Sequence, residues 1–175
     1  MENVAGIIVD NASCDYETSK IRFEMMEKRK FMIGIASDHA GFELKEYLKT
    51  NMSKEMEFID FGAKSAESVD YPDFAHQLAL RVSNGELMKG ILICGTGNGM
   101  SMTANKYPNV RAALCWNVDI ARLARQHNDA NIVVLPARFI EKEEALEIVE
   151  TFFSTSFEGG RHQRRIDKIN ITHSL

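Results

Sequence analysis

The sequence predicts an α/β fold: a Rossmann-like, three-layer α/β/α sandwich around a five-stranded, mainly parallel sheet. From residue 31 onward, short apolar runs alternate with amphipathic stretches, and this alternation is typical of βαβ units. At 175 residues, of which 45% are hydrophobic and 26% charged, the chain is long enough to bury one substantial core. We therefore expect one main domain.

The first half of that domain begins with an apolar run at 31–36, which predicts a strand. Residues 42–48 carry apolar side chains at helical spacing and predict the helix that follows. A second strand is predicted at 55–60. The next helix ends at Asn84 and Gly85, a pair typical of helix C-termini. This half therefore supplies two strand and helix pairs.

The second half repeats the pattern. Apolar runs predict strands at 91–94, 110–116 and 131–135. The segments between and after them predict helices that begin near residue 100 and cover 118–127, 141–153 and 160–169. The third of these begins with glutamates, which favour the positive end of a helix dipole.

Residues 1–30 do not follow this alternation. We interpret them as an N-terminal extension of unknown role and assign no chemistry to them. Residues 31–175 are predicted to form the functional domain, including the C-terminal helix.

The composition argues against several classes of function. A formal net charge of −4 disfavours a protein that coats nucleic acid, because a long phosphate footprint needs a basic face. No apolar run approaches the length of a membrane span. Cys14, Cys94 and Cys115 lack CxxC spacing, which indicates neither a disulfide framework nor a zinc site. We expect a cytoplasmic protein that binds neither nucleic acid nor membrane.

The most informative segment is the turn that follows the third predicted strand. An apolar run leads to Cys94, and Gly95, Gly97 and Gly99 come directly after it. Such glycines let successive backbone N–H groups face one concavity, which favours an oxyanion or a phosphate. The helix predicted to follow adds the positive end of its dipole. A thiol beside an anion hole suits chemistry that develops negative charge on oxygen.

Asp38 and His39 follow the first predicted strand as Cys94 follows the third. In open α/β sheets, ligands bind beyond the carboxyl ends of the strands. If strands one and three are neighbours, as in a flavodoxin-like order, the two loops face each other across one crevice. Taken alone, Asp38 is equally well explained as a cap for the following helix.

Arg161 and Arg165 form a second cluster near the C-terminus. At positions i and i+4 of the predicted last helix they share one face and can hold a phosphate with paired hydrogen bonds. The glycines at 159–160 allow a close backbone approach. His162 is predicted to point elsewhere and receives no role.

His127 ends the helix before the fifth predicted strand, so it is expected at the amino edge of the sheet, opposite Cys94. A histidine there can simply complement the negative end of the helix. If His127 shares the chemistry of Cys94, it must come from a second subunit. We therefore hypothesise a homodimer with shared sites. The sequence leaves open whether dimers pair into tetramers.

The glycine-rich turn also invites comparison with a dinucleotide-binding fingerprint, with Asp119 about 20 residues further on. Met100 stands where that fingerprint requires its third glycine. We therefore disfavour this interpretation.

Six short motifs occur in order between residues 31 and 170, at 37–42, 70–72, 91–99, 104–106, 125–129 and 158–163. Together they resemble type B ribose-5-phosphate isomerases, within the sugar-phosphate isomerase family that includes the lactose-pathway subunits. The resemblance implies a dimeric Rossmann-like enzyme that interconverts ribose 5-phosphate and ribulose 5-phosphate without a cofactor or metal. It does not extend to residues 1–30.

The resemblance also implies catalytic roles. Cys94 is similar in position to the base that moves a proton between C1 and C2, and Asp38 and His127 to the pair that assists opening of the furanose ring. The enediolate oxygen would be bound by the hydroxyl of Thr96 and by backbone N–H groups of the turn, namely those of Gly95, Gly97, Asn98 and Gly99.

The remaining implied roles concern substrate binding. The phosphate clamp would consist of His39, Arg138, Arg161 and Arg165. Asn128 would lie beside the ring-opening pair, and Tyr71 would form a wall of the sugar pocket.

Two alternatives remain open from the sequence. The same reaction on a six-carbon substrate, allose 6-phosphate or galactose 6-phosphate, differs only in pocket depth. A non-catalytic nucleotide-binding module on the same sheet is a different class; Cys94 and the paired arginines argue against it, because nucleotide binding needs neither.

Overall fold

Five parallel strands form the central sheet of the computed structural model, which describes residues 32–54 and 56–170. The strands are β1 (Met32–Ser37), β2 (Glu57–Asp60), β3 (Lys89–Cys94), β4 (Ala112–Leu114) and β5 (Ile132–Pro136). They agree with the predicted strands to within two residues at the ends that can be compared. Phe31 and Glu55, the predicted first residues of two strands, lie outside the described residues, as does the predicted domain boundary at residue 30.

Helices connect successive strands. They are α1 (Phe42–Met52), α2 (Tyr71–Ser83), α3 (Asn98–Ala104), α4 (Val118–Asn128) and α5 (Lys142–Ser154), followed by a 3-10 turn (Gly160–His162) and α6 (Gln163–Ile166). Local signals explain their ends: the Asn117 side chain accepts from the Ile120 N–H to cap α4, and Asn84 and Gly85 close α2. None of the helices in the described part of the chain is long and apolar enough to cross a membrane.

The prediction of one continuous helix over 160–169 is wrong. Gly159 and Gly160 adopt φ values of 66° and 55°, in the left-handed region that a right-handed helix does not use. The chain therefore makes a 3-10 turn before α6 begins at Gln163. Arg161 lies in the turn and Arg165 in α6, so they are not i and i+4 residues of one α-helix.

The strand order is β2-β1-β3-β5-β4, and every pairing is parallel. The predicted neighbourhood of strands one and three is confirmed. The full flavodoxin-like order, 2-1-3-4-5, is not found, because β5 lies between β3 and β4. Burial gives the reason: all five residues of β5 are buried, which suits an inner strand, whereas in the three-residue β4 only Ala112 is.

Helices cover both faces of the sheet, as the predicted three-layer sandwich requires. Alternate residues of β1, β3 and β5 pack on one face against α1, α4 and α5, with Phe152 fully buried among them. The other face, which includes Leu92 and Cys94, packs against α2 and α3 through Leu78 and Met100. Cys94 therefore belongs to the α2/α3 side.

A buried lysine joins α1 to the end of β2. Lys45 is 1% exposed, and its Nζ donates to both carboxylate oxygens of Asp60 at 2.8 Å and to the Ala63 carbonyl at 2.7 Å. Burial alone raises the pKa of Asp60, but hydrogen bonds from Lys45, Lys49 and the Gly62 N–H outweigh it and leave that pKa lowered. The pair stabilises the sheet near the loop that follows β2.

Candidate active site

Three loops meet at the carboxyl edge of the sheet and are joined by backbone hydrogen bonds. The Asp38 N–H donates to the Ile93 carbonyl at 3.1 Å, which attaches the loop after β1 to β3. The Ala137 N–H donates to the Cys94 carbonyl at 2.9 Å, and the Arg138 N–H to the Gly95 carbonyl at 3.1 Å. These bonds bring the predicted residues Asp38, Cys94 and Arg138 to one crevice.

Cys94 is the last residue of β3 and is 4% exposed. The backbone N–H of Gly97 donates to its Sγ over 3.1 Å. One N–H group of the predicted anion hole is thus directed at the thiol itself.

The glycines of the turn are required by close contacts. Gly97 has a φ of 75°, and a Cβ there would lie 2.2 Å from the Leu114 side chain. A Cβ on Gly99 would lie 2.5 Å from the Tyr71 ring, so this ring packs directly on the turn. A Cβ on Gly95 would lie 3.2 Å from the Nε of Arg138, so the Arg138 side chain packs directly over this glycine.

Two further side chains of the turn are exposed. The Thr96 Oγ1 accepts from the Asn98 N–H at 3.4 Å, which leaves the Thr96 hydroxyl proton available to a ligand. Thr96 and Asn98 therefore lie on the solvent side of the turn, whereas Cys94 lies beneath it.

Asp38 and His39 are both held in place. Asp38 is buried, and its Oδ1 accepts from the Gly41 N–H at 2.9 Å. The N-cap of α1 is Gly41 and no side chain caps its first turn, so Asp38 is not the helix cap that the sequence offered as its alternative role. His39 Nδ1 accepts from the Val69 N–H at 3.3 Å. A neutral imidazole that accepts at Nδ1 carries its proton on Nε2, where it can donate to an anion.

A cleft of about 350 Å³ opens beside these residues. His39 and Arg138, both predicted phosphate ligands, line it together with Lys142 and two acidic side chains, Glu43 and Glu141. Sequence reasoning missed Lys142. Its position at the start of α5, directly after the loop that follows β5, was a usable signal, because such residues lie at the same edge of the sheet as the predicted phosphate ligands.

The other predicted residues lie elsewhere. His127 and Asn128 end α4 just before β5 begins at Ile132, so they lie at the amino edge of the sheet. Arg161 and Arg165 belong to the C-terminal segment, which the Glu158 N–H joins to the Gln126 carbonyl at 3.1 Å. The structure thus separates the predicted site residues into two groups at opposite edges of one chain.

The expectation that His162 points away from this chemistry is wrong. Its ring stacks on the His127 ring with centroids 4.3 Å apart and planes 4° from parallel. Burial, followed by the charges of His127 and Arg161, lowers the pKa of His162. The sequence prediction failed because it assumed a continuous helix, in which residues 161 and 162 face different directions.

Among the described residues, His127, Glu158 and His162 are the group with metal-ligand character, with one ligand atom from each within 4.8 Å of the others. The Nε of Arg161 donates to His162 Nε2 at 3.4 Å, so this lone pair already has a partner. The positive charge of the guanidinium also disfavours a cation at this position.

Comparison with known proteins identifies the family. The family described as Ribose/Galactose Isomerase matches residues 33–169, and the chain belongs to this family. The chain is 44% identical over 138 residues to ribose-5-phosphate isomerase B of Escherichia coli, covering 78% of this chain and 93% of that one. It is 47% identical over 142 residues to a probable ribose-5-phosphate isomerase B of Mycoplasma genitalium, covering 79% and 93%.

Solved structures give the same result. A ribose 5-phosphate isomerase from Thermotoga maritima matches with a TM-score of 0.77 and 56% identity over 79% of this chain and 97% of that chain. A Mycoplasma genitalium ribose-5-phosphate isomerase B with bound ribulose 5-phosphate matches with a TM-score of 0.76 and 47% identity over 79% and 93%. The predicted family and the predicted Rossmann-like fold are therefore confirmed, and the protein is an isomerase.

Proposed function

We propose that this protein interconverts D-ribose 5-phosphate and D-ribulose 5-phosphate. The observation that carries the proposal is the thiol of Cys94, held by the Gly97 N–H at the base of a glycine-rich turn, in a chain of the ribose/galactose isomerase family. An aldose–ketose isomerase needs one base within reach of C2 and donors fixed where an oxyanion develops. This turn offers both.

The reaction begins with ring opening, because ribose 5-phosphate is mainly a closed furanose. Asp38 and His127 act as the pair that removes the proton from the C1 hydroxyl and protonates the ring oxygen. The Cys94 thiolate then removes the proton from C2, and negative charge collects on the C1 oxygen of a cis-enediolate. Protonation at C1 and transfer of the C2 hydroxyl proton to the C1 oxygen complete the ketose.

Binding groups surround that chemistry. The Thr96 hydroxyl and the N–H groups of the turn that do not bond to Cys94 stabilise the enediolate oxygen. His39 and Arg138 bind the phosphate in the cleft, whereas Tyr71, Asn98 and Asn128 contact the sugar. The proposal needs no metal or cofactor.

We further propose a homodimer in which His127, Asn128, Arg161 and Arg165 of one subunit complete the site of the other. The separation of the two groups at opposite edges of one chain supports this.

Mixed dimers test the sharing of sites. If His127→Ala and Cys94→Ala chains are mixed in equal amounts and allowed to exchange, half of the dimers contain both kinds of chain, and each has one intact site. Activity should return to about a quarter of the wild-type value. If no activity returns although exchange is demonstrated, the sites are not shared.

The proposal also covers the cellular location of the protein and the boundaries of its domain. The isomerase works in the cytoplasm, residues 31–175 form its domain, and residues 1–30 are an extension that takes no part in catalysis. Deleting residues 1–30 should therefore leave turnover unchanged.

Turnover of ribose 5-phosphate, allose 6-phosphate and galactose 6-phosphate at equal concentrations, with a chelator present, tests the substrate. We expect preferred conversion of the pentose. Activity on a hexose phosphate alone would keep the mechanism and change the substrate. Inactivity on all three, together with a thermal shift by ATP, would contradict the proposal and favour a nucleotide-binding module.

A further inference from the structure

His162 is a buried ring in an exposed segment. It is 5% exposed, whereas its neighbours Arg161, Gln163 and Arg164 are all exposed. Burying an imidazole removes it from water, and this costs free energy unless its new contacts compensate. The contacts that it makes therefore indicate what the burial achieves.

The first contact is with His127. The two rings are stacked with centroids 4.3 Å apart and planes 4° from parallel, while His127 itself is about one-third exposed. A histidine in the last turn of a helix can rotate about both side-chain torsions. Stacking on a buried, fixed ring restricts that rotation and leaves the other face of His127 accessible.

The second contact is with Arg161, whose Nε donates to His162 Nε2 at 3.4 Å. A neutral ring that accepts at Nε2 carries its proton on Nδ1. Because burial and the neighbouring charges lower its pKa, His162 is neutral at pH 7 and can make this contact. One side chain thus touches both the ring-opening histidine and an arginine of the phosphate clamp.

Glu158 fixes the cluster to the helix. Its N–H donates to the Gln126 carbonyl, and its Oε2 lies 3.9 Å from His127 Nε2 and 3.7 Å from His162 Nε2. These separations are longer than hydrogen bonds, so the carboxylate acts as a nearby negative charge and the ring stack supplies the orientation.

We propose that His162 is a positioning residue: it holds the His127 ring in its working orientation by stacking and couples it to Arg161 of the phosphate clamp. The inference rests on the proposed function, because it assumes that His127 assists ring opening. A displacement of an acid–base group by about 1 Å from its working position lowers the rate about 100-fold.

Two substitutions separate the stacking from the contact with Arg161. His162→Ala removes both, whereas His162→Phe keeps a flat ring and removes the nitrogen. With ribose 5-phosphate as substrate, we expect His162→Ala to lower kcat by about 10- to 100-fold and to raise KM. His162→Phe should restore most of kcat but leave KM raised, because Arg161 still lacks its partner.

Controls distinguish this inference from the proposed function. His76→Ala, which removes an exposed histidine that contacts Tyr107, should leave kcat and KM unchanged.

Two outcomes would contradict the positioning role. The first is a His162→Phe protein that is folded, as shown by its thermal melting, yet is as slow as His162→Ala. The second is a normal kcat for His162→Ala. If His162→Ala does not fold, the kcat of His162→Phe is the deciding measurement. A kcat near the wild-type value supports the positioning role, and a kcat far below it contradicts that role. Normal turnover by His127→Ala would instead contradict the proposed role of His127.

Discussion

The backbone N–H of Gly97 donates a hydrogen bond to the Sγ of Cys94 over 3.1 Å, three residues along the chain. Gly97 is also the N-cap of α3, and its φ of 75° lies in the left-handed region that favours glycine. An ordinary cysteine, with a pKa of about 8.5, is a reluctant base at neutral pH. The N–H of Gly97 thus lies directly at the sulfur that the proposed reaction uses as its base.

Replacing Cys94 with alanine should remove isomerisation and leave binding intact. Because a positioned general base contributes about 10²- to 10⁴-fold to the rate, we expect kcat to fall by at least about 10²-fold. Ribulose 5-phosphate should still raise the melting temperature of Cys94→Ala.

The matched control is Cys115→Ala. Burial raises the pKa of the Cys115 thiol to about 12, so this cysteine stays protonated and supplies no base at neutral pH. Its removal should leave kcat unchanged. Near-normal turnover by Cys94→Ala would show that another group is the base.

A methyl group on Gly99 should displace the Tyr71 ring, because its Cβ would lie 2.5 Å from that ring. Gly99→Ala is therefore expected to raise KM for ribose 5-phosphate. In a Tyr71→Ala background the same methyl group meets no ring, so its added effect should be close to zero. Additive effects of the two substitutions in steady-state kinetics would contradict the contact.

Neighbouring arginines of α6 should differ in phosphate affinity. Arg165 is proposed to bind phosphate and Arg164 is not, although both are exposed and lie side by side. Arg165→Ala should raise KM about tenfold or more, the cost of a charge-assisted hydrogen bond, and Arg164→Ala should leave it unchanged. Equal effects on KM would mean that the segment contributes only general positive charge.

Removing the Lys45 amine should destabilise the fold. Lys45→Met removes the buried amine that donates to Asp60 and to the Ala63 carbonyl, whereas Lys49 still pairs with Asp60, so we expect a loss of about 2 kcal/mol in the free energy of unfolding. Lys49→Met is the matched control: Lys49 pairs with the same carboxylate but is 29% exposed, and its loss should cost at most about 1 kcal/mol. Urea unfolding of both variants measures the difference.

The same pair predicts how stability depends on pH. The folded-state pKa of Asp60 is lowered, so its stabilising contribution is present above the unfolded-state value of about 3.9 and is lost as the pH falls through the lower folded-state value. Asp60→Asn cannot titrate. The stability gap between wild type and Asp60→Asn should therefore narrow in urea unfolding from about pH 6 to about pH 3. A constant gap would contradict the lowered pKa.

Local pattern was enough to predict most of the fold. Apolar runs predicted β1, β3 and β5 most clearly, because strands buried on both faces leave a continuous hydrophobic signal. The turn from Gly95 to Gly99 was recognisable from its three glycines, of which Gly97 has a positive φ and Gly99 a close ring contact. The residues after β1 and β3 were correctly expected to meet. Arg138 was correctly expected to lie near His39 only because a family resemblance supplied the pattern.

The sequence by itself therefore determined the fold class and most element boundaries, and it supplied the chemistry proposed for the loop after β3, because these depend on neighbours within a few residues. The tertiary structure decided the inner position of β5, the break at Gly159 and Gly160, the burial of Lys45 against Asp60, and the stacking of His162 on His127. Each of these features depends on contacts between residues that are far apart in the sequence, and such contacts form only when the whole chain packs.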